Sequence, residues 1–281
     1  MDTTPVTVPE ILRRKSSKKK ITALTAYDFS FAKLLDATDL DIILVGDSLG
    51  MVSQGQENTL AVTMDNMIYH TRAVKKGVKR ALVVSDMPFM SYQVSVEQAL
   101  TNAGRLIQDG GASAVKLEGG TLMADRVRVI DRAGIPVMGH IGLTPQYVHQ
   151  LGGYKVQGKN YLDSQKIKQD ARDLQSAGVF ALVLEGIPSQ LAEEITAELK
   201  TPTIGIGAGA KCDGQILVLN DMLGLNQGFV PKFVKQYAQM ADSLKNAVAE
   251  FIQEVKTESF PSQEHIYQSK QGKLKQVNDG N

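Results

Sequence analysis

Five apolar runs in the chain each end on a residue that can exchange a proton, carry a charge or hold a metal ion. Each run is rich in Val, Ile and Leu and short enough for one β-strand, and Gly or Pro follows within a few residues. The side chains at or near the ends of these runs are those of Asp47, Ser48, Asp86, Lys116, Glu118, His140 and Glu185. The repeated position predicts one shared active site rather than unrelated surface charges.

Two of these acids suit a hard metal ion. Asp47 and Asp86 end the second and third predicted strands, so their carboxylates can converge. Such a pair repels unless it is protonated or bridged by a cation. Glu118 on the next strand completes an all-oxygen set, which favours Mg²⁺ over zinc. The alternative, in which one or more of the three pairs with a lysine or caps a helix, stays open.

Lys116 and Glu118 are two residues apart, so their side chains point to the same side of the fourth strand. A lysine that faces a protein interior is costly unless it meets an anion, a carboxylate or a carbonyl substrate. Lys116 therefore binds substrate, fills the interior as part of an ion pair, or does both. A Schiff base on Lys116 is disfavoured, because neighbouring acids would keep the amine protonated.

The remaining candidates have one functional and one structural interpretation each. Glu185 ends a run of five apolar residues, so we expect it to be partly buried and to act as a general base. His140 lies between two glycines and either lines the site or bonds a backbone carbonyl. Ser48 either donates to a substrate carboxylate or caps the next turn. The glycines of the GIGAG segment, residues 205–209, form a phosphate site or, more simply, a tight turn.

Strand, functional residue, loop and helix repeat along the chain in the order typical of a (β/α)8 barrel, whose strands carry the active site at their carboxyl ends. Strands are predicted at residues 21–25, 41–47, 82–85, 114–117, 137–139, 181–184, 203–206 and 215–219. Barrel helices are predicted at residues 30–37, 64–76, 121–133, 164–177 and 189–199, and one further helix is predicted to begin after Ser95. Two connections, residues 48–60 and 141–162, are unusually long. The first is a candidate lid or interface element, and we expect the second to pack over the barrel mouth.

The domain organisation follows from the same pattern, because no linker interrupts it. A single catalytic barrel is predicted over residues 21–267. A helix and basic segment, residues 1–20, precede it, and the helix at 8–17 is predicted to close the bottom of the barrel. A long amphipathic helix, 233–256, ends the barrel, and a polar tail, 268–281, is expected to fray.

Composition excludes several other classes of protein. The 281 residues include 31 basic and 30 acidic side chains, a formal net charge of +1, which gives no reason to expect nucleic acid or an anionic membrane. The basic run at residues 13–20 is interpreted as a solvated helix rather than a nucleic-acid patch or a targeting signal. No apolar stretch is long enough to span a bilayer. The single Cys212 excludes an internal disulfide and is typical of the cytoplasm, and with four scattered histidines it forms no zinc pattern.

Ten short motifs, in order over about residues 8–267, are similar to those of the ketopantoate hydroxymethyltransferase family. They are TAYDFSFAK (25–33), LVGDSLGM (44–51), DMPFM (86–90), VKLEG (115–119), GHIGLTPQ (139–146), GGYKVQG (152–158), LE (184–185), IGIGAG (204–209), DGQIL (213–217) and PKFV (231–234). Departures are confined to residues 38–39, the turn at 211–212 and the tail, none of them at a catalytic position.

The resemblance implies a barrel of the phosphoenolpyruvate/pyruvate type in a cytoplasmic homo-oligomer, often a decamer. It implies transfer of a hydroxymethyl group from 5,10-methylenetetrahydrofolate to 3-methyl-2-oxobutanoate, which gives 2-dehydropantoate and tetrahydrofolate in the first step of pantothenate biosynthesis. The residue roles it implies are Mg²⁺ binding by Asp47, Asp86 and Glu118, substrate binding by Asp47, Ser48, Asp86, Lys116 and His140, and proton abstraction by Glu185.

Three other functions remain as alternatives. A Mg²⁺-dependent carbon–carbon lyase of the same barrel type would need a cysteine on a catalytic loop, and Cys212, after the seventh strand, is not placed for that role. A barrel that binds a metabolite without catalysis would have gaps among its polar positions, whereas all are filled here. A flavin or nicotinamide barrel would need a clear phosphate site and stacking aromatics, and the chain has no Trp.

Overall fold

The computed structural model describes residues 4–226 and 228–268. Eight parallel strands form a closed barrel in the order of the sequence, β1 to β8, as predicted. The strands are β1 (Ile21–Thr25), β2 (Ile42–Val45), β3 (Leu82–Asp86), β4 (Ala114–Glu118), β5 (Val137–Gly142), β6 (Ala181–Glu185), β7 (Thr203–Ile206) and β8 (Gly214–Leu217). Helices of the βα repeats surround them, so the (β/α)8 prediction is confirmed.

Eleven α-helices lie in the described residues. They are α1 (Val8–Ser17), α2 (Phe29–Asp36), α3 (Leu49–Val52), α4 (Met64–Gly77), α5 (Val96–Gln108), α6 (Ala124–Arg132), α7 (Val148–Leu151), α8 (Tyr161–Ala177), α9 (Ser189–Glu198), α10 (Leu219–Met222) and α11 (Met240–Lys256). Short 3₁₀ helices occur at Thr121–Met123, Pro145–Tyr147 and Gln263–His265. In this part of the chain no helix is both long and apolar enough to cross a membrane.

Two apolar cores hold the barrel together, one on each face of its sheet. The inner core fills the barrel with side chains such as Ile42, Val84 and Met138, and the outer core lies between the strands and the surrounding helices. In β2 to β7 nearly every residue is buried on both faces, so these strands are mostly apolar runs, whereas Thr22 of β1 and Gln215 of β8 are exposed. Most acidic groups of the strands therefore lie at strand ends, and Lys116 is the charged residue inside β4.

Helix α1 closes the amino-terminal end of the barrel, as the sequence predicted. Ile11 on α1 is fully buried and packs in the inner core with Ile21, the first residue of β1. Pro9 lies in the first turn of this helix, where its missing N–H costs nothing.

The basic run at residues 13–20, which begins in α1, is not wholly solvated, and in this respect the prediction was wrong. The buried Arg14 guanidinium pairs with Asp41 and Glu10, and Lys15 Nζ lies 2.7 Å from Asp213 Oδ2. These acids lie far along the chain or one helical turn away, so no local acidic block marked them as partners. The ion pairs fix α1 against the barrel.

Three errors in the predicted boundaries can each be traced to a specific contact in the structure. Strand β5 extends to Gly142, beyond residues 137–139, because its last residues pair with β6. Helix α8 begins three residues earlier than predicted, because the Asn160 side chain caps it by accepting from Asp163 N at 2.9 Å. Helix α11 begins at Met240 rather than at 233, because Tyr237 N donates to Met222 O and holds the preceding segment in non-helical contact with α10.

The two long connections contain the short helices α3 and α7 and meet above the carboxyl ends of the strands. The Tyr154 hydroxyl lies 3.8 Å from Met51 Sδ, which joins one connection to the other. The predicted tail lies outside the described residues except for Gln268.

Candidate active site

The strand register collects the candidate residues at the carboxyl end of the barrel. Asp86 on β3 is the register partner of Lys116 on β4, and Glu118 is the partner of His140 on β5. Glu185 ends β6 opposite Gly142. Asp47 and Ser48 follow β2 directly. All seven candidates therefore lie at one end of the barrel, and the contacts below link them into one site.

Lys116 forms an ion pair in the interior with Asp86. Lys116 Nζ lies 2.6 Å from Asp86 Oδ1 and 3.9 Å from Glu118 Oε1, and the three side chains are at most 5% exposed. Burial opposes the charge on the amine, but the surrounding carboxylates, Asp86 foremost, raise the pKa of Lys116 above its usual value. Lys116 is therefore an ammonium group at neutral pH, which agrees with the expectation that it is not a Schiff-base nucleophile.

His140 lies between two carboxylates. Its Nδ1 is 3.3 Å from Glu118 Oε1 and its Nε2 is 3.2 Å from Glu185 Oε2. Neither nitrogen is aligned well enough for a hydrogen bond, so both contacts are electrostatic. Burial disfavours the imidazolium, yet the Glu118 carboxylate raises the pKa of His140 to about 9. The structural alternative, a bond to a backbone carbonyl, is not what the described contacts show.

The acids that were predicted to bind metal are close together and strongly coupled. Asp47 N donates to Asp86 Oδ2 at 3.0 Å. Burial, and then the negative charges of Asp86 and Glu118, raise the pKa of Asp47 well above its usual value. Burial also raises the pKa of Asp86, although Lys116 opposes the shift. Burial works against ionisation of Glu118 too, but His140 and Lys116 outweigh it and lower the pKa of Glu118.

A divalent cation fits the chemistry of this cluster. Four acidic side chains (Asp47, Asp86, Glu118 and Glu185) lie with two cationic groups (Lys116 and His140), so the acids outnumber the cationic groups, and the crowding of acids contributes to the raised pKa of Asp47. All the unneutralised donors are oxygens, which hard cations such as Mg²⁺ prefer. Within residues 4–226 and 228–268 no three His, Cys, Asp or Glu side chains are already arranged as a metal site. The metal roles of these residues therefore remain a prediction.

Ser48 does not cap the helix that follows it. Its Oγ lies 2.8 Å from the hydroxyl of Tyr27, and α3 has no side-chain cap. The Tyr27 carbonyl in turn lies 2.7 Å from His70 Nδ1. Ser48 is thus held at the mouth by a buried tyrosine from the β1–α2 connection, where it is free to meet a substrate oxygen.

Three buried residues of the site have roles that sequence reasoning missed. Tyr27 and Gln146 lie inside the family-like motifs, but nothing in their spacing marked Tyr27 as a contact of Ser48 or Gln146 as a contact of Asp47 and Glu118. Tyr92 lies in the β3–α5 connection with no exposed surface. A fully buried tyrosine or glutamine usually has hydrogen-bond partners, but burial of a loop residue cannot be read from sequence periodicity.

The glycines after β7 form a tight turn. Gly207 and Gly209 have φ angles of +62° and +82°, a region that disfavours residues with a Cβ. A Cβ at Gly207 would lie 2.8 Å from the Phe233 ring, and one at Gly209 would lie 2.6 Å from the Ser189 Cβ. Close packing at this turn therefore accounts for both glycines without a phosphate.

Comparison with solved structures defines the class of barrel. The fold is similar to phosphoenolpyruvate phosphomutase from Streptomyces platensis, with a TM-score of 0.60 and 13% identity over 93% of this chain and 92% of that one. It is also similar to 2,3-dimethylmalate lyase, a member of the phosphoenolpyruvate mutase/isocitrate lyase superfamily, with a TM-score of 0.58 and 15% identity over 91% and 89% of the two chains. The protein therefore shares the (β/α)8 barrel fold of these two enzymes.

Comparison with sequences is more specific. Residues 5–263 match the family model described as ketopantoate hydroxymethyltransferase. The chain is similar to two relatives named 3-methyl-2-oxobutanoate hydroxymethyltransferase. The relative from Pelobacter propionicus is 56% identical over 93% of this chain and 97% of its own length. The relative from Thermoanaerobacter sp. is 59% identical over 90% of this chain and 92% of its own length. The chain belongs to the ketopantoate hydroxymethyltransferase family and is a transferase, which confirms the resemblance of the motifs.

Proposed function

We propose that the protein transfers a hydroxymethyl group from 5,10-methylenetetrahydrofolate to 3-methyl-2-oxobutanoate, giving 2-dehydropantoate and tetrahydrofolate, the first step of pantothenate biosynthesis. The names of its relatives support this reaction. The observation that carries it is the position of Glu185, whose partly exposed carboxylate lies 3.2 Å from His140 Nε2 at the same end of the barrel as Asp47, Asp86 and Lys116. A base beside a charged oxygen-binding cluster is what removal of a proton next to a 2-oxo acid requires.

We propose Asp47 and Asp86 as ligands of Mg²⁺, with Glu118 binding directly or through water. When bound, the cation would act as a Lewis acid on the oxygens of the 2-oxo acid and make the C3 proton more acidic. The excess of carboxyl groups over cationic groups in the cluster supports this proposal. So does a structural neighbour with a TM-score of 0.59, phosphonopyruvate hydrolase, whose complex contains oxalate and Mg²⁺.

The chain's own residues would bind the keto acid and move one proton. Ser48, oriented by Tyr27, donates to the substrate carboxylate, and the Lys116 ammonium group stabilises the negative charge that develops on the keto oxygen. Glu185 accepts the proton from C3. C3 then bonds to the methylene carbon of the folate, and the bonds from that carbon to the two folate nitrogens break. One water supplies the hydroxyl oxygen, and the proton taken from C3 and one proton of the water end on the two nitrogens, which gives tetrahydrofolate. His140, between Glu185 and Glu118, holds the base toward the substrate.

The two long connections would cover the side of the pocket where the folate enters. The contact between Tyr154 and Met51 supports this placement, because it joins the connections directly over the site. We expect bound folate and keto acid together to slow proteolytic cleavage in residues 48–60 and 141–162. Unchanged cleavage at saturating ligand would exclude this covering role.

The reaction is tested by supplying both substrates and identifying the product. Purified protein with Mg²⁺, 3-methyl-2-oxobutanoate and 5,10-methylenetetrahydrofolate should form 2-dehydropantoate and tetrahydrofolate in equal amounts, measured by mass spectrometry. Neither product should form if one substrate is omitted. Cleavage of 2-oxo acids or their hydroxylated derivatives without folate would instead favour the carbon–carbon lyase alternative.

We further propose that the protein is a homo-oligomer, with a decamer as the expected size. The support is helix α11, in which only Ala241 is buried. Five of its large apolar side chains are between 45% and 60% exposed: Leu244, Val248, Phe251, Ile252 and Val255. An apolar face of this extent is typical of an interface between subunits. Light scattering measures the assembled mass directly, and a monomer of 30.5 kDa would exclude the proposal.

The cytoplasmic location indicated by the single Cys212 stays a prediction. The thiol is free and buried in the described structure. A fluorescent fusion or cell fractionation would decide the location.

A further inference from the structure

Gln146 is the most highly connected neutral side chain of the site. It is 3% exposed and lies in the 3₁₀ helix Pro145–Tyr147 that follows β5. Its Nε2 donates to Asp47 Oδ2 at 2.8 Å and to Met87 O at 2.9 Å. Its Oε1 accepts from the Tyr92 hydroxyl at 2.6 Å and from Gln93 Nε2 at 3.2 Å. An amide has two donors and two main acceptor sites, so every one is used.

The orientation of this amide is fixed by its partners. The Met87 carbonyl oxygen can only accept, so the end of the amide that faces Met87 and Asp47 must be the NH₂ group. Tyr92 donates to the opposite end, and its own hydroxyl oxygen accepts from Glu118 N at 3.1 Å. A flipped amide would place a carbonyl oxygen against two acceptors, so only one orientation is compatible with the site.

Gln146 also contacts a second acid through its backbone. Gln146 N donates to Glu118 Oε2 at 3.0 Å. The other oxygen of that carboxylate, Oε1, faces His140 and Lys116. One residue thus bonds one oxygen of Asp47, after β2, and one oxygen of Glu118, at the end of β4. Neither bond uses the second oxygen of its carboxylate.

We propose that Gln146 is a positioning residue that holds the carboxylates of Asp47 and Glu118 in the orientation from which they bind the divalent cation. The inference rests on the proposed function, since it assumes that these acids are metal ligands. Groups that orient metal-binding side chains by hydrogen bonds typically contribute about 10- to 100-fold to metal affinity. Gln146 has the geometry of such a group, with one amide hydrogen on a ligand carboxylate and a rigid partner, Tyr92, behind it.

Metal affinity of altered proteins tests the proposal without measuring activity. Chelator-treated full-length protein is titrated with Mn²⁺, and free Mn²⁺ is followed by electron paramagnetic resonance. Gln146→Met keeps the length of the side chain and the backbone donor but loses the amide, and it should raise the Kd by about 10- to 100-fold. Tyr92→Phe removes the hydroxyl that orients the amide and should raise the Kd by a smaller factor.

A matched control separates orientation from general loss of stability. Thr71 Oγ1 and Ser85 Oγ form an equally buried hydrogen bond, 2.8 Å long, between α4 and β3. Thr71→Val removes that bond with little change in shape, so it should lower the unfolding temperature but leave the Kd for Mn²⁺ unchanged. Should Gln146→Met not fold, Tyr92→Phe decides the question by the same titration.

The outcomes distinguish this inference from the proposed function. The positioning role alone would be overturned if the unaltered protein binds Mn²⁺ tightly and Gln146→Met binds it with the same Kd. If Gln146→Met does not fold, the same result in Tyr92→Phe would overturn it. An equal rise in Kd in Thr71→Val would also overturn it, because the effect would then be one of stability. Absence of Mn²⁺ binding in the unaltered protein would overturn the metal proposal and this inference with it.

Discussion

Lys116 Nζ lies 2.6 Å from Asp86 Oδ1, and both side chains are almost completely buried. The two residues are register partners on adjacent strands, so the contact is fixed by the barrel itself rather than by a mobile loop. Removing one partner of a buried ion pair leaves an uncompensated charge. The pair therefore links the chemistry of the site to the stability of the barrel.

Asp86→Asn should lower kcat/KM by about 10²-fold or more in saturating Mg²⁺, because it removes a charge from the proposed metal-binding oxygens. The substitution keeps the shape of the side chain, so circular dichroism should show a folded barrel. Asp65→Asn is the matched control, since Asp65 is 84% exposed and its pairing with Arg105 lies at the surface. Near-normal turnover of Asp86→Asn in chelator-treated buffer would contradict the metal role.

Tyr27→Phe should raise the KM for the keto acid several-fold and change kcat less. The substitution removes the hydroxyl that lies 2.8 Å from Ser48 Oγ, so Ser48 loses its fixed orientation toward the substrate carboxylate. One net hydrogen bond of about 1 kcal/mol corresponds to about a five-fold change. Steady-state kinetics with each substrate varied in turn measures the effect. A rise confined to the KM for the folate would contradict this role for Ser48.

The fold was predictable because burial of both strand faces leaves a strong signal in the sequence. The predicted β1 and β7 have the observed bounds, and α1 was placed correctly. The predicted start of α11 was wrong, because residues before Met240 are held by backbone bonds to α10, a contact between segments that periodicity does not reveal.

The candidate site was predictable where its residues end strands, as Asp86, Glu118 and Glu185 do. Strand ends converge in any parallel barrel, so residue type and position suffice to bring these side chains together. The contacts of Gln146 and Tyr27 were not predictable. Both depend on how loops fold over the mouth, and loop conformation is set by long-range hydrogen bonds.

His140 should make the stability of the metal-free protein depend on pH. Its pKa rises from 6.5 to about 9 on folding, so the imidazolium stabilises the folded state fully below pH 6.5, and that contribution is lost as the pH rises through 9. At 1.36 kcal/mol per pKa unit the contribution is about 3 kcal/mol.

The comparison of His140→Gln with the unaltered protein measures this contribution. Urea unfolding in chelator at several pH values should give a difference in the free energy of unfolding that is largest below pH 6.5 and shrinks toward pH 9. A difference that grows with pH would show that His140 is buried in its neutral form.

Ile11→Ala should destabilise the barrel by about 2 to 5 kcal/mol, because Ile11 is fully buried where α1 closes the inner core. Leu12→Ala on the same helix is the control: Leu12 is 42% exposed, and the change should be within about 0.5 kcal/mol. Urea unfolding measures both variants. Equal effects at the two positions would contradict the packing described for α1.

Exchange of the C3 proton of 3-methyl-2-oxobutanoate with deuterated solvent, followed by NMR, tests the central claim most directly. Glu185 is the proposed base, so the unaltered protein with Mg²⁺ and without folate should catalyse exchange. Glu185→Gln, which keeps the shape of the side chain but cannot accept the proton, should not. Exchange that persists at the normal rate in Glu185→Gln would contradict the assignment of Glu185 as the base.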